Sequence, residues 1–244
     1  MPGRKIFSGR TYRLRPLPCF EIVGPPGSGK TTLARELQNR NREFELRQPP
    51  DWHRPGDLPF FLNTALSLAP DLAGLTFGRE GRRLRPEEIT DLIFLRAWHR
   101  RVAGESSGGS VIILDQGPVF MLAELLFFLE TPITRMVSTK RWKKALEKWA
   151  RLLTGVVWLD SSDQILTERI NSREKSHLIK QSSLSQSRGF LERSRTSLDR
   201  SIALLGAGRL SPATMRFDTG VQSLHEVADR VRDSLLAARE SRSQ

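Results

Sequence analysis

A run of small residues, Gly24-Pro25-Pro26-Gly27-Ser28-Gly29, leads directly into Lys30-Thr31-Thr32. It satisfies the pattern G-x-x-x-x-G-K-[ST]. Glycines let backbone N–H groups turn inward around a phosphate, and a helix starting at the lysine adds the positive end of its dipole. Lys30 can reach the β- and γ-phosphates as a point charge. The Thr31 hydroxyl suits Mg²⁺, and Thr32 suits the α-phosphate. The chemistry is binding of a nucleoside triphosphate, with ATP and Mg²⁺ as the expected cofactors. The loop alone does not say what the phosphate is used for.

Three further sets of residues bear on that use. "VIILDQG" puts Asp115 at the tip of an apolar run, where a carboxylate can hold Mg²⁺ or sit near an acceptor hydroxyl. "LTERINSR" spaces Arg169 and Arg173 four apart at the entry to a basic stretch. Arginines on a closing lid can neutralise charge that builds up on a transferred phosphoryl group. Arg96 and Arg100 lie one helical turn apart and share a face that can meet an anionic acceptor. Asp160 also ends an apolar run, but it precedes the lid helix and reads as a capping or structural residue. None of His53, His99, His177 and His225 has metal-ligand spacing with another.

Several owners of such a loop are excluded by what is missing. A GTPase needs D-x-x-G, and here Gly117 comes one place too early; N-K-x-D is absent. "SSGGS" at 106–110 abuts the Asp115 strand and lacks the leucine and glutamine of a transporter signature. The strand-tip Asp115 is followed by Gln116, not by the glutamate of many motor ATPases. A small-molecule kinase remains.

At this point the chain resembles the nucleoside and nucleotide kinases, with thymidylate kinase the nearest in pattern. The resemblance rests on "GPPGSGKTT", "FLRAWHRR", "VIILDQG", "VVWLDSSDQILTERINSR" and "RFDTGVQSLHEVADRV", in that order. It implies a three-layer α/β fold, with about five parallel strands in the order 2-3-1-4-5 between helices. It also implies phosphoryl transfer, with Thr219 and Gly220 on the base side of the nucleotide. The acceptor side departs from the pattern. Thymidylate kinases carry an arginine after the strand-tip aspartate, where this chain has Gln116. They carry R-E-P after the second strand, and deoxynucleoside kinases use that glutamate as a base; here the stretch is Arg47-Gln48-Pro49. Glutamine accepts no proton. Arg47 and Asp51 are candidate acceptor contacts, and Asp51 is a candidate replacement for the base, alongside Asp115.

These residues need elements to hold them. Phe20–Val23 reads as the strand before the loop, and Thr31 to about Asn39 as the helix after it. Phe44–Leu46 reads as a short second strand. Residues 60–80 read as short helices and loops. "RPEEITDLIFLRAWHRRV" reads as a helix with Pro86 and two acids in its first turn. "VFMLAELLFFL" reads as a buried helix. Trp142 to Leu153 is a further helix, "GVVWLD" a buried strand, and a helix runs from about Asp163 through Arg169. The segment 173–188 reads as a mobile basic lid, about 171–190 in all, before helix resumes at "FLERSRTSLDRSIALL". "TMRFDTG" is the last strand and "SLHEVADRVRDSLLAA" the last helix.

The chain has 244 residues, enough for one kinase-like domain over 20–238, a basic tail at 1–19 and a polar, frayed tail at 239–244. Cys19 is the sole cysteine, so no internal disulfide forms. No apolar run is expected to span a bilayer, and the expected compartment is cytoplasmic. The formal net charge of +12 attracts anions. It keeps two alternatives open: a polynucleotide kinase acting on nucleic-acid ends, and an ATP-binding regulatory protein without a dedicated acceptor. The tryptophans form no base-stacking ladder, which favours a small-molecule acceptor.

Overall fold

Alternation along buried strands builds two cores. In β1 (Cys19–Val23), Cys19 and Val23 face one layer while Phe20 and Ile22 face the other. The same alternation holds in β3 (Val111–Asp115) and β4 (Gly155–Asp160), where Trp158 and Val157 point to opposite faces. Strands covered on both faces carry near-continuous apolar runs, which is how they were legible in sequence. With β2 (Phe44–Arg47) and β5 (Ala213–Asp218) they form a five-stranded parallel sheet in the order β2-β3-β1-β4-β5. The computed structural model describes residues 17–51, 53–77, 84–104, 111–174, 177–207 and 212–243. Most of the N-terminal basic tail and the "SSGGS" stretch lie outside them.

One face of the sheet is covered by α1 (Lys30–Arg40) and α8 (Leu224–Ser243). The other is covered by α2 (Leu58–Phe77), α3 (Pro86–Gly104), α4 (Pro118–Val137), α5 (Lys140–Leu152) and α7 (Leu184–Gly206). The short α6 (Asp163–Asn171) follows β4 and starts with Ser162 as its cap. This is the three-layer architecture expected from sequence.

Three boundaries differ from expectation. Residues 58–77 form one long helix despite Pro70. Phe61, Thr64, Leu68 and Leu75 are buried along one side of it, and that burial outweighs the lost helical hydrogen bond. With the preceding turn, Pro55–Leu75 is long and apolar enough to cross a membrane by length and composition, contrary to the expectation of no such run. The lid is shorter than expected, because α7 begins at Leu184. Ser183 and Gln186 form a reciprocal capping box there. Leu191, Leu198 and Leu205 then recur every seventh residue as its buried edge. Within the lid, Ile179 is buried against Leu166, Ile170 and Leu191, so the segment has an apolar anchor. Finally, α8 continues to Ser243 in place of a frayed tail from 239, and Arg239 pairs with Glu43.

A buried carboxyl joins the sheet to α4. Glu21 in the middle of β1 is fully buried, and it accepts hydrogen bonds from the backbone N–H groups of Val119 at 2.9 Å and Phe120 at 2.8 Å. It thereby satisfies two of the unpaired donors at the start of α4. Burial pushes its pKa up to about 8, with these N–H groups offsetting only part of the effect. A carboxyl whose pKa is higher folded than unfolded contributes stability fully below about 4.5, and loses it as pH rises through about 8. The melting temperature should therefore fall between about pH 5 and pH 8, and Glu21→Gln should flatten that slope. Glu21→Ala leaves both donors unpaired and should cost about 1–3 kcal/mol each in chemical denaturation.

Candidate active site

The loop expected to bind phosphate joins β1 to α1, at the carboxyl end of the central strand. Gly24 and Gly27 have φ of 152° and 89°, a region side chains rarely enter. Space is as restrictive as torsion. A Cβ on Gly24 would lie 2.0 Å from the Leu159 carbonyl oxygen, and one on Gly27 would lie 2.8 Å from that of Leu166. The loop is thus pressed against the end of β4 and the middle of α6. The Ser28 hydroxyl is buried with no partner among the described residues, while Thr31 and Thr32 are exposed on the first turn of α1.

Lys30 folds back over this loop. Its ammonium donates to the carbonyls of Gly24 at 2.8 Å and Pro25 at 3.0 Å. Burial and the like charge of Arg173 lower its pKa to about 8, and Asp115 and Glu124 act in the opposite sense. Arg173 is exposed on the lid, and its charge reaches Lys30 together with those of the two carboxylates. Asp115 is half-buried at the tip of β3, where burial raises its pKa and Lys30 and Arg35 oppose the rise. The sequence pattern thus brings Lys30, Thr31, Asp115 and Arg173 to one end of the sheet.

Arg169 has a different engagement from that expected of a lid arginine. It donates to the Thr219 side chain at 2.9 Å, to the Thr219 carbonyl at 2.8 Å and to the Gly27 carbonyl at 3.5 Å. It ties the phosphate loop to the turn after β5. Thr219 also reaches the Asp160 carbonyl, and a Cβ on Gly220 would lie 2.4 Å from the Ser161 hydroxyl, so both base-side candidates abut the tip of β4. Asp160 has the structural role expected. Arg195 on α7 donates to it at 2.8 and 3.1 Å and to Asp163 at 2.7 Å, fastening α7 to the end of β4.

None of the four acceptor-side candidates lines the cleft that contains Lys30. Arg47 is buried, bonded to Glu45 at 2.9 Å and to the Val102 carbonyl at 2.9 Å. With Gln48, Arg54, Trp98 and Arg101 it lines a separate hollow of about 330 Å³ between β2 and α3. Asp51 accepts from the His53 backbone N–H at 2.9 Å through one carboxylate oxygen, a turn-forming contact. Arg96 faces the charges of Asp71 on α2 and Arg141 on α5, and Arg100 is exposed on the same flank of α3. Helical phase places that pair together on α3.

A cleft beside Lys30 has another wall. It is lined by Lys30 with Phe120, Glu124 and Phe127 of α4 and Ser194 and Ser197 of α7. Burial raises the Glu124 pKa, and Lys30 and Arg85 oppose the rise. The signal was present in sequence as the one acid inside "VFMLAELLFFL", but only the packing shows that it faces the loop.

A family model described as an AAA domain matches residues 21–188. The chain belongs to the AAA domain family. The match runs from β1 into α7 and contains the phosphate loop, Asp115, Arg169 and Arg173. The AAA domain is similar in fold to YorR from Bacillus subtilis, solved in complex with phosphorylated GDP. The TM-score is 0.51 at 15% identity, over 91% of this chain and 98% of that one. A further similar structure is deoxyadenosine kinase from M. mycoides with bound dCTP, with a TM-score of 0.47 at 12% identity, over 90% of this chain and 99% of that one. No curated protein matches the chain.

Two outcomes test this geometry. Arg169→Ala removes charge-assisted bonds worth about 1.5–3 kcal/mol each, so ADP affinity measured by calorimetry should fall roughly tenfold or more. In the unliganded protein, ADP affinity should also weaken as pH rises through about 8, where Lys30 loses its charge.

Proposed function

We propose that this AAA domain is an ATP-dependent phosphotransferase of the nucleoside and nucleotide kinase type, acting on a small acceptor. The observation that carries the reading is the position of Lys30. Its ammonium lies on the phosphate loop and also lines a cleft walled on the far side by α4 and α7. A hydrolysing switch needs no such second chamber next to its phosphate lysine; a transferase does. The order of motifs supports thymidylate kinase as the nearest pattern, and the cytoplasm is the compartment expected from sequence.

The residues fit the nucleotide and its metal. The loop has the glycines its φ values demand, and the buried Ser28 hydroxyl is unpaired among the described residues. Gly27 to Thr32 would hold the phosphates, with Thr219 and Gly220 toward the base. Thr31 and Asp115 would hold Mg²⁺. When bound, that ion neutralises charge on the β- and γ-phosphates. Lys30 leaves the Gly24 and Pro25 carbonyls and donates to the phosphates. Arg173 comes down with the lid, opposes the charge on the transferring group and excludes water. Arg169 acts through Thr219 and Gly27 as a positioning residue.

The test is transfer of labelled γ-phosphate from ATP across nucleosides, nucleoside monophosphates and sugars. Lys30→Ala should keep the fold by circular dichroism and lower transfer by about 10²–10³. Arg173→Ala should lower it by about 10³–10⁵. Wild-type turnover by Arg173→Ala would remove the lid from the mechanism.

A further inference from the structure

The proposed reaction lacks a base. Gln48 takes no proton, hydrogen bonds from His53 hold the Asp51 carboxyl below its usual range and so weaken it as a base, and Asp115 stands where a metal-binding carboxylate is needed. The cleft at Lys30 supplies a carboxylate in Glu124, half-buried on α4 and facing the phosphate loop. Phe120 and Phe127 flank it and give apolar walls, while Ser194 and Ser197 stand opposite on α7. The cleft holds about 40 Å³, room for the reacting end of an acceptor and not for the whole molecule.

Its charge is as informative as its size. Lys30 is the only cation among the described residues lining it. Behind Glu124, burial of Asp91 on α3, together with the charges of Glu124, Glu88 and Glu87, raises its pKa well above the usual carboxylate range. Arg85 is the nearby counter-charge and acts on Glu124 from outside the cleft lining, donating to Glu88 at 3.2 Å and lying 3.9 Å over the Phe128 ring. A phosphomonoester entering this cleft would set about two more negative charges against the Glu124 carboxylate, with no lining cation besides Lys30 among the described residues. A hydroxyl brings none, and offers Glu124 a proton.

We propose that Glu124 is the general base of the transfer, and that the acceptor is an alcohol, a nucleoside or sugar hydroxyl, and not a phosphomonoester. This rests on the phosphotransferase reading above. The acceptor oxygen attacks the γ-phosphorus of ATP while its proton passes to a carboxylate oxygen of Glu124. The new O–P bond forms as the bond from the γ-phosphorus to the β,γ-bridging oxygen breaks. ADP leaves, and Glu124 returns its proton to solvent. Burial raises the pKa of Glu124, which makes it a stronger proton acceptor than an exposed carboxylate while Lys30 helps keep it ionised.

The experiment uses the full chain with ATP and a defined panel: thymidine, deoxyadenosine, deoxycytidine and glucose against thymidine monophosphate and deoxyadenosine monophosphate. Wild type should phosphorylate at least one alcohol and neither monophosphate. Glu124→Gln should melt with wild type and bind ATP within about threefold of it, yet lose about 10²–10⁴ in kcat. The acidic limb of the pH–rate profile should disappear with it. Should that variant not fold, Glu124→Asp, which keeps the carboxylate, should retain the limb at a lower rate. Glu124→Gln with wild-type kcat, or monophosphates as the preferred acceptors, would overturn the assignment while leaving the phosphotransferase standing. ATP binding with no transfer to any member of the panel would overturn both.

Discussion

A loop that encircles an anion must keep its N–H groups free of partners within the protein, and must still be held in one shape. Here that shape is imposed from outside. Gly24 lies against the end of β4 and Gly27 against α6, each with no room for a side chain. The rest of the active end depends on that contact. Lys30 can rest on the Gly24 and Pro25 carbonyls only because the loop curls back over the first turn of α1. The β4–α6 corner that supports the loop is itself fastened by Arg195 to Asp160 and Asp163, and by Arg169 through Thr219. Two arginines that a charge count would assign to ligands thus hold the walls of the site.

The electrostatics follow from burial at the carboxyl end of the parallel strands. Lys30, Asp115 and Glu124 are each desolvated, and each is partly compensated by another of the set. Removing charges from water is costly unless opposite charges replace the lost hydration. The site therefore keeps one cation and two carboxylates out of water together, each offsetting part of another's lost hydration. Glu21 is a separate case. It is buried beneath the site and spends its oxygens on the first turn of α4, the helix that carries Glu124.

Much of the fold was legible because strands buried on both faces and helices with a single buried edge leave simple periodicities. β1, β3 and β4 were visible as apolar runs, and α3 was marked by Pro86 and the acids of its first turn. α2 was obscured by Pro70, although Phe61, Leu68 and Leu75 already marked one edge. The start of α7 was obscured by a polar first turn, where the capping box of Ser183 and Gln186, not hydrophobic spacing, sets the boundary. The acceptor side was the least legible part. Arg47, Asp51, Arg96 and Arg100 are well placed by local pattern, yet none lines the cleft that contains Lys30.

By itself the sequence determined the phosphate loop and the strand-tip Asp115, which rest on local torsion and short-range periodicity that a single chain records directly. The order of the sheet was implied by the resemblance to nucleoside and nucleotide kinases and is set by how the strands pair. Only the tertiary structure decided which charges share a space. Glu124 is far from Lys30 along the chain and meets it because α4 crosses the mouth of the loop, whereas Arg96 and Arg100 do not line the cleft that contains Lys30. Proximity between distant residues is fixed by how helices pack, and no local pattern encodes it.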